Sequence, residues 1–469
     1  MTHNGYGATE PVAVTGASEA GLADFGYAEQ LKRSLSLTDL LVYGLVFIVP
    51  IAPFVIFGVV FNSARGMVPL TYVIGLVAMV FTALSYREMS GAFPVAGSVY
   101  AYAGRGLNQS AGFLAGWAIL LDYLLVPTLC YVAGAAAMHS VLPQIPQPAW
   151  VIGFVLFNTA VNMLGVETTA RVSKIFLVGE LLVLLAFVVF GVVAIDRGVN
   201  GAHWSLIPFY NPQVFHIGLI FSALSVAVLS FLGFDAISTL AEEAKGGPSM
   251  VGKATMIALC LSAALFVVQT YVAALLVPGK TEFVGDTATN EAFYTIAQMV
   301  GGAGFKLIVA VSVTLSTAVA NALVAQAATS RLLFAMARDR QLPRFLAHVH
   351  PVRKVPERAL LLVSAVSLVL GLFFVGQVGL ISSLVNFGAL FSFLLLHLAV
   401  VVYFVVRKRV RTFGLHLVSP VLGFVIISYV LLNADVHAKV GGTVWLVIGV
   451  MILIGLRLAG RTTTLDLPV

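Results

Sequence analysis

Apolar residues run through this chain in stretches of about 20 residues, separated by short segments that hold most of the charged residues. An α-helix of that length crosses the hydrocarbon core of a bilayer. The pattern therefore predicts an all-α membrane protein with twelve transmembrane helices. The predicted spans are residues 38–61, 68–90, 110–140, 148–165, 173–195, 216–240, 251–277, 304–334, 359–376, 379–405, 415–433 and 442–458.

Two of these spans, the first and the sixth, are interrupted within their apolar run. The first contains Pro50 and Pro53, and the sixth contains Gly233 and Asp235. Non-helical backbone at membrane depth is tolerated only where it is buried in protein or lines a water-filled cavity. Broken helices at corresponding positions of two halves point to the substrate site of a secondary transporter. We therefore predict two five-helix repeats of inverted topology whose leading helices meet at the site.

The charge distribution predicts the orientation of the chain. The sequence is 60% hydrophobic and 10% charged, with a mean hydropathy of +1.01 and a formal net charge of +6. If both termini are cytoplasmic, 21 of the 26 Lys and Arg residues fall on the cytoplasmic side. The positive-inside rule favours this orientation. The basic balance thus reflects topology in a lipid bilayer, and we expect no nucleic-acid partner.

The domain organisation is simple. Residues 1–34 are polar and lack the apolar core of a signal peptide, so we expect a disordered cytoplasmic tail. Residues 35–405 form the predicted ten-helix transport core, and residues 406–469 hold helices eleven and twelve with a short cytoplasmic C-terminus. Two cysteines build neither a disulfide framework nor a metal site, and there is no H-E-x-x-H motif. We expect no cofactor, metal or catalytic residue, and a continuous polar channel is excluded by the apolar spans.

Three separated motifs resemble signatures of a known family. They are Phe93–Tyr102 with Gly112-Phe113 and Gly116-Trp117, then Gly233–Lys245, then Ser330–Pro343. In this order they resemble the third, sixth and eighth helices of the amino acid–polyamine–organocation transporters. The run Leu120–Leu124 is most similar to the bacterial putrescine importers of that family. The resemblance implies the leucine-transporter fold, a five-plus-five inverted repeat with two further C-terminal helices. It also implies uptake of amino acids or polyamines, driven by protons or by exchange.

Three carboxylates lie inside predicted spans: Asp122, Glu180 and Asp235. An acid at membrane depth is a functional hypothesis by default. Lys174, at the start of the fifth span, is the one Lys or Arg in these three spans. Several family members carry a lysine at the position that Glu180 matches. We predict Glu180 as the ion-coupling residue, either carrying a proton or countering a cationic substrate. Ser316 and Thr317 of the eighth span are predicted beside it, where their hydroxyls would suit Na⁺ instead.

The residues of the first break bear on the substrate. Amino acid carriers of this fold grip a carboxylate with free N–H groups, and proline has none. The break therefore favours an amine without an α-carboxylate, held by acids and by aromatic rings through cation–π contacts. The predicted substrate-binding residues are Ile51, Ala52, Pro53, Phe54, Asp122, Tyr123, Phe231, Gly233, Phe234 and Asp235.

These observations predict a proton-coupled importer of a small organic amine in the bacterial inner membrane. One departure keeps alternatives open, because putrescine importers of the family carry an acid near the position of Val55. A monoamine or a neutral amino acid remains an alternative substrate, and an amino acid permease remains the alternative function. On the cytoplasmic side, Arg331 is predicted to pair with a loop acid such as Glu242. The oligomeric state stays open.

Overall fold

The computed structural model describes residues 33–458 apart from residues 94, 96–97, 143, 286–287, 290, 376–377 and 435. Within these residues the chain is helical, and extended backbone pairs only in one parallel bridge, between Leu35 and Ala244. Eight helical stretches there are long and apolar enough to cross a membrane, and a bent pair makes a ninth. The prediction of an all-helical, multi-pass membrane protein is confirmed. Residues 1–32 of the predicted tail and residues 459–469 lie outside the described range.

The helices are labelled in chain order. The α-helices of the described residues are α1 (Leu37–Ile48), α2 (Ala52–Ser63), α3 (Val68–Ala92), α4 (Ser98–Gly106), α5 (Gln109–Val141), α6 (Gln147–Met163), α7 (Val166–Asp196), α8 (Ile217–Ala227), α9 (Pro248–Leu275), α10 (Ala292–Leu315), α11 (Ala322–Arg338), α12 (Glu357–Phe373), α13 (Val378–Val400), α14 (Ser419–Leu432) and α15 (Val436–Leu458). Short 3₁₀ segments cover Val199–Gly201, Val228–Phe231, Phe234–Glu243 and Arg344–Ala347. Segments of π-helix cover Ser316–Asn321, Val401–Arg407 and Gly414–Val418.

The first break separates α1 from α2. Helix α1 ends because Val49 adopts a positive φ of 60° and Pro50 follows it. Proline lacks the N–H that would continue the helical ladder. Helix α2 begins at Ala52 with Pro53 in its first turn, where a missing N–H is harmless. The two axes differ by 43°.

The second break interrupts the sixth predicted span. Helix α8 tightens into the 3₁₀ segment Val228–Phe231, and helical structure resumes as 3₁₀ at Phe234. Between them Gly233 has a φ of 113°, a backbone conformation that residues with a Cβ atom rarely adopt. A Cβ atom at Gly233 would also lie 2.1 Å from Cδ1 of Phe47 on α1. The close approach of the two broken spans therefore requires glycine here.

One end of the bundle, here called the basic end, is closed by buried ion pairs. Arg331 of α11 pairs with Glu243, and their side chains are 6% and 2% exposed. Arg338 forms two bonds of 3.0 and 2.8 Å to the carboxylate of Glu242. The N–H of Leu35 donates to the Glu243 carbonyl at 3.0 Å. We call these contacts the clasp.

Arg331 pairs with a loop acid, as predicted, but that acid is Glu243, and Glu242 pairs with Arg338 instead. The two acids are consecutive residues of a 3₁₀ helix, in which successive side chains point about 120° apart. Glu243 therefore reaches Arg331, and Glu242 reaches Arg338, which lies about two helical turns further along α11.

The opposite end of the bundle is closed by contacts of another kind. The Asn62 side chain donates to the Phe283 carbonyl at 2.9 Å and accepts from the Phe283 N–H at 2.7 Å. Arg65 pairs with Glu282, and these side chains are 43% and 52% exposed. The loop after α9 is thereby fastened onto the end of α2.

Candidate functional site

A cavity of about 560 Å³ lies between the two breaks. Its walls come from the end of α1, the start of α2, the middle of α5, the second break, the π segment after α10, and α13. None of the described residues that line this central cavity is charged. Its aliphatic lining includes Ile48, Val49, Val55, Ile56, Val126 and Leu129.

A few polar side chains interrupt this apolar wall. They are Ser230, Tyr294, Thr317 and Asn321. Asn321 lies in the π segment, and its amide donates to the Phe47 carbonyl at 2.7 Å. Its side-chain oxygen lies 3.5 Å from the thiol of Cys130 on α5. Asn321 thus satisfies a carbonyl that the end of α1 leaves without a helical partner, and it does so at the cavity wall.

The first break presents little to an anionic group. The Ala52 N–H donates to the Val49 carbonyl at 2.8 Å, and the Phe54 N–H donates to the Ile51 carbonyl at 2.9 Å. Pro53 has no N–H. The first turn of a helix binds anions through free N–H donors. At α2 these three positions are either bonded already or lack a donor.

The second break presents the carbonyl end of a helix instead. Helix α8 and its 3₁₀ continuation end at Phe231, and the neighbouring Ser230 and Leu232 line the cavity. The last carbonyls of a helix have no partner within it, and the helix dipole is negative at this end. This side of the cavity therefore suits a cationic group.

Asp235 lies just beyond this carbonyl end, on the 3₁₀ segment that follows. The Tyr123 hydroxyl donates to its Oδ2 at 2.5 Å, and the Gly233 N–H donates to its Oδ1 at 3.3 Å. Asp235 is 1% exposed and does not line the cavity. The Tyr123 ring lies 6.2 Å from that of Phe47, which does line it. Tyr123 therefore links the carboxylate to the cavity wall.

Pro127 explains how α5 holds Tyr123 in place. Because Pro127 has no N–H, the Tyr123 carbonyl four residues earlier loses its helical donor. The Thr329 hydroxyl of α11 supplies the missing donor at 2.6 Å. The adjacent Asp122 is buried, and its Oδ1 has no hydrogen-bond partner among the described residues.

Of the ten residues predicted to bind substrate, Ala52 lies on the cavity wall. The three predicted phenylalanines, Phe54, Phe231 and Phe234, are fully buried and pack into the core. Their ring partners are, in that order, Phe293 at 3.8 Å, Phe266 at 5.4 Å and Tyr86 at 5.9 Å. Large rings fill the space beside the unwound backbone, so proximity to a break does not place a side chain on the cavity.

The predicted ion-coupling residues separate into two places. Glu180 of α7 is 1% exposed, and neither carboxylate oxygen has a hydrogen-bond partner among the described residues. It lines a second cavity together with Ser316. Thr317 faces the central cavity, and its hydroxyl donates back to the Val313 carbonyl of its own helix at 3.0 Å. The π segment thus presents consecutive residues to two different cavities.

The amino acid permease family matches residues 39–436, a range that begins in α1 and includes both breaks. The chain belongs to the amino acid permease family. The permease is therefore a membrane transport protein, as the resemblance of its three motifs indicates.

Individual relatives of the permease have different named substrates. The low-affinity putrescine importer PlaP of Escherichia coli K12 is 31% identical over 432 residues, covering 90% of the permease and 93% of PlaP. The branched-chain amino acid permease BcaP of Bacillus subtilis is 29% identical over 450 residues, covering 90% and 93%. The methylthioribose transporter of Bacillus subtilis is 28% identical over 404 residues, covering 81% and 83%. All three are named as transporters or permeases, and none as an enzyme.

Sequence reasoning missed three polar residues on the cavity wall of the permease: Ser230, Tyr294 and Asn321. Asn321 had a usable signal, because an amide inside an apolar span requires a partner at membrane depth. Ser230 lies in the apolar run before Gly233, and its sequence signal is weaker because a hydroxyl can bond to its own helical turn. Tyr294 follows the loop after α9, and only the folding of that loop brings it to the cavity.

Proposed function

We propose that the permease is a secondary active transporter that imports a small organic amine of the putrescine class across the bacterial plasma membrane. The observation that carries this proposal is the central cavity, which lies between two broken spans. Substrate and coupling-ion sites of such transporters lie where discontinuous helices meet. The similarity to PlaP over 90% of the chain supports the amine class.

The polarity of the two breaks supports an amine over an acid. An ammonium group would sit at the carbonyl end near Ser230, where the helix dipole is negative. A carboxylate would need donors at the start of α2, where Ala52 and Phe54 already use theirs and Pro53 has none. Asp235 would stabilise the bound cation from behind Tyr123.

The second candidate is a branched-chain amino acid permease. The specific observation that favours it is the aliphatic wall built by Ile48, Val55, Ile56 and Leu129. Such a wall suits an apolar side chain better than the second ammonium group of a diamine. The similarity to BcaP agrees with this candidate.

Coupling to protons is supported by the buried acids. Asp122, Glu180 and Asp235 are at most 2% exposed and lie on helices that span the membrane. Intramembrane carboxylates of this kind form proton relays in transporters. We propose that Glu180, next to Ser316, carries the coupled proton.

The architecture proposed is the leucine-transporter fold with twelve spans. Besides the nine stretches counted above, α6, α12 and residues Lys439–Gly455 are 17-residue apolar helices, at the lower limit for crossing a bilayer. The inverted repeat is supported by helix packing. Each of the first four spans contacts the corresponding span of the second half. The first span (α1 and α2) contacts the sixth (α8 and the 3₁₀ segments after it), and the second (α3) contacts the seventh (α9). The third (α5) contacts the eighth (α10 and α11), and the fourth (α6) contacts the ninth (α12).

Alternating access would open one end of the bundle at a time around the central cavity. With both termini cytoplasmic, the basic end is the cytoplasmic side, and the clasp of Arg331 with Glu243 and Arg338 with Glu242 is the inner gate. Release to the cytoplasm would require these ion pairs to separate. Residues 35–405 form the transport core in this proposal.

Uptake into proteoliposomes tests the proposed function. Labelled putrescine and labelled leucine would be supplied separately, with imposed proton and sodium gradients. We expect putrescine to accumulate when the outside is acidic, without a requirement for Na⁺. Accumulation of leucine with no competition from putrescine would instead establish the second candidate. Unitary currents without accumulation would contradict a transporter of either kind.

A further inference from the structure

A second cavity of about 420 Å³ lies between α7 and α10, away from the central one. Its rim residues Ile175, Leu307 and Ile308 are 68%, 50% and 54% exposed. Aliphatic side chains exposed on spanning helices face lipid, since no water is present at that depth. The cavity is therefore a groove that opens to the hydrocarbon core of the membrane, and we call it the α7–α10 groove.

Glu180 lies at the floor of the α7–α10 groove. Its side chain is buried, and both of its oxygens lack a hydrogen-bond partner in the described part of the chain. The hydroxyl of Ser316, which also lines the groove, is the neighbouring polar group. Acids inside membrane proteins almost always pair with another polar group. An acid whose polar neighbour is a hydroxyl and not a cation, next to a space open to lipid, indicates a ligand that supplies the cation.

Gly179 keeps this space open. It lines the groove beside Glu180, and a Cβ atom at its position would meet no heavy atom within 4 Å. Glycine is less favourable than alanine in the middle of a helix. The packing of α7 therefore does not require glycine here, and a larger residue would occupy the groove.

We propose that the α7–α10 groove binds an alkylamine dissolved in the membrane. The nitrogen pairs with Glu180, and the alkyl chain lies along Leu307 and Ile308. The amine enters as a neutral base, and the carboxylic acid proton moves from the Glu180 oxygen to the amine nitrogen. The pair is neutral overall before and after this transfer, so no isolated charge is buried. This site is separate from the central cavity and does not depend on the proposed substrate.

A fluorescence reporter at the rim tests the proposal directly. Ile308→Trp places an indole on the groove, and Val369→Trp on α12, 65% exposed, places one on another lipid-facing surface as the matched control. Quenching by a spin-labelled alkylamine in liposomes is compared with quenching by the spin-labelled alcohol of equal length. The signal of the chain without the added tryptophan is subtracted. We expect the amine to quench the groove reporter at about tenfold lower membrane concentration, because charge-assisted hydrogen bonds exceed neutral ones.

Two substitutions on the reporter background complete the test. Glu180→Gln removes the acid, and Gly179→Leu fills the groove while leaving the acid in place. Each is expected to abolish the preference for the amine, and Gly179→Leu gives the answer if Glu180→Gln does not fold. Equal quenching by amine and alcohol overturns the proposal, as does a preference that survives both substitutions. Because the readout is binding, failure of the putrescine uptake assay would leave this result unchanged.

Discussion

At the first break the chain leaves α1 at Val49 and resumes at Ala52, whereas at the second it leaves a 3₁₀ turn at Phe231 and resumes at Phe234. The first is made by prolines and returns to a regular α-helix. The second break is made by Gly233, and the chain after it forms a 3₁₀ helix of ten residues. Both face the same cavity, yet their backbones offer it different groups.

The difference lies in hydrogen-bond capacity. The start of α2 has used its N–H donors internally or has none at Pro53, so it lacks an anion site at these positions. The 3₁₀ segment that continues α8 ends beside the cavity at Phe231, so the negative end of the helix dipole lies there, with the Asp235 carboxylate just beyond it. A pair of breaks thus says that a site exists, and the donors and acceptors at each break say which charge it accepts.

The largest expected effect is a loss of stability when the clasp, which holds the segment after the second break, is disrupted. Glu243→Gln leaves the Arg331 guanidinium buried without its partner charge, which lowers the free energy of unfolding by about 3–5 kcal/mol. Glu282→Gln, in the exposed pair with Arg65, is the control and costs about 0–1 kcal/mol. Thermal unfolding of the two purified variants measures the difference. Equal losses would mean that burial of the clasp contributes nothing.

The next effect concerns the carboxylate of the second break. Asp235→Asn keeps the shape of the side chain but removes the charge that accepts from Tyr123 and Gly233, and we expect it to abolish accumulation of the amine. Tyr123→Phe removes one donor and leaves the acid, so the initial uptake rate should fall by only about tenfold. Both are measured in proteoliposomes at matched protein content. Full uptake by Asp235→Asn would remove this acid from the mechanism.

The smallest effect is a change of selectivity at the first break. Pro53→Ala adds an N–H to the first turn of α2, and leucine should compete up to about tenfold better against labelled putrescine. Pro420→Ala makes the same change in the first turn of α14, a helix that contributes no described residue to the lining of the cavity, whereas α2 contributes several. Competition curves for the two variants are compared with that of the parent chain. An unchanged ratio in Pro53→Ala would show that the missing donor does not select against carboxylates.

Much of the architecture was predictable because hydrocarbon imposes simple rules. Apolar stretches long enough to span, prolines at residues 50 and 53 and the glycine at 233 gave the helices and both breaks, and three motifs gave the family. Arg331 was predicted to pair with a loop acid such as Glu242, and the structure pairs it with the adjacent Glu243. The segment after the break is a 3₁₀ helix and not an α-helix, which changes the side chain that faces α11. The composition of the segment does not distinguish the two kinds of helix.

The sequence by itself determined that this protein crosses the membrane repeatedly, where two spans break, and that acids lie at membrane depth. Only the tertiary structure decided which groups face the substrate. It placed Asn321 and Tyr294 on the cavity and turned Phe234 into the core. It also separated Glu180 from the central cavity. The physical reason is that hydropathy and backbone breaks are local properties of the chain. The direction of a side chain is set by the helices packed against it.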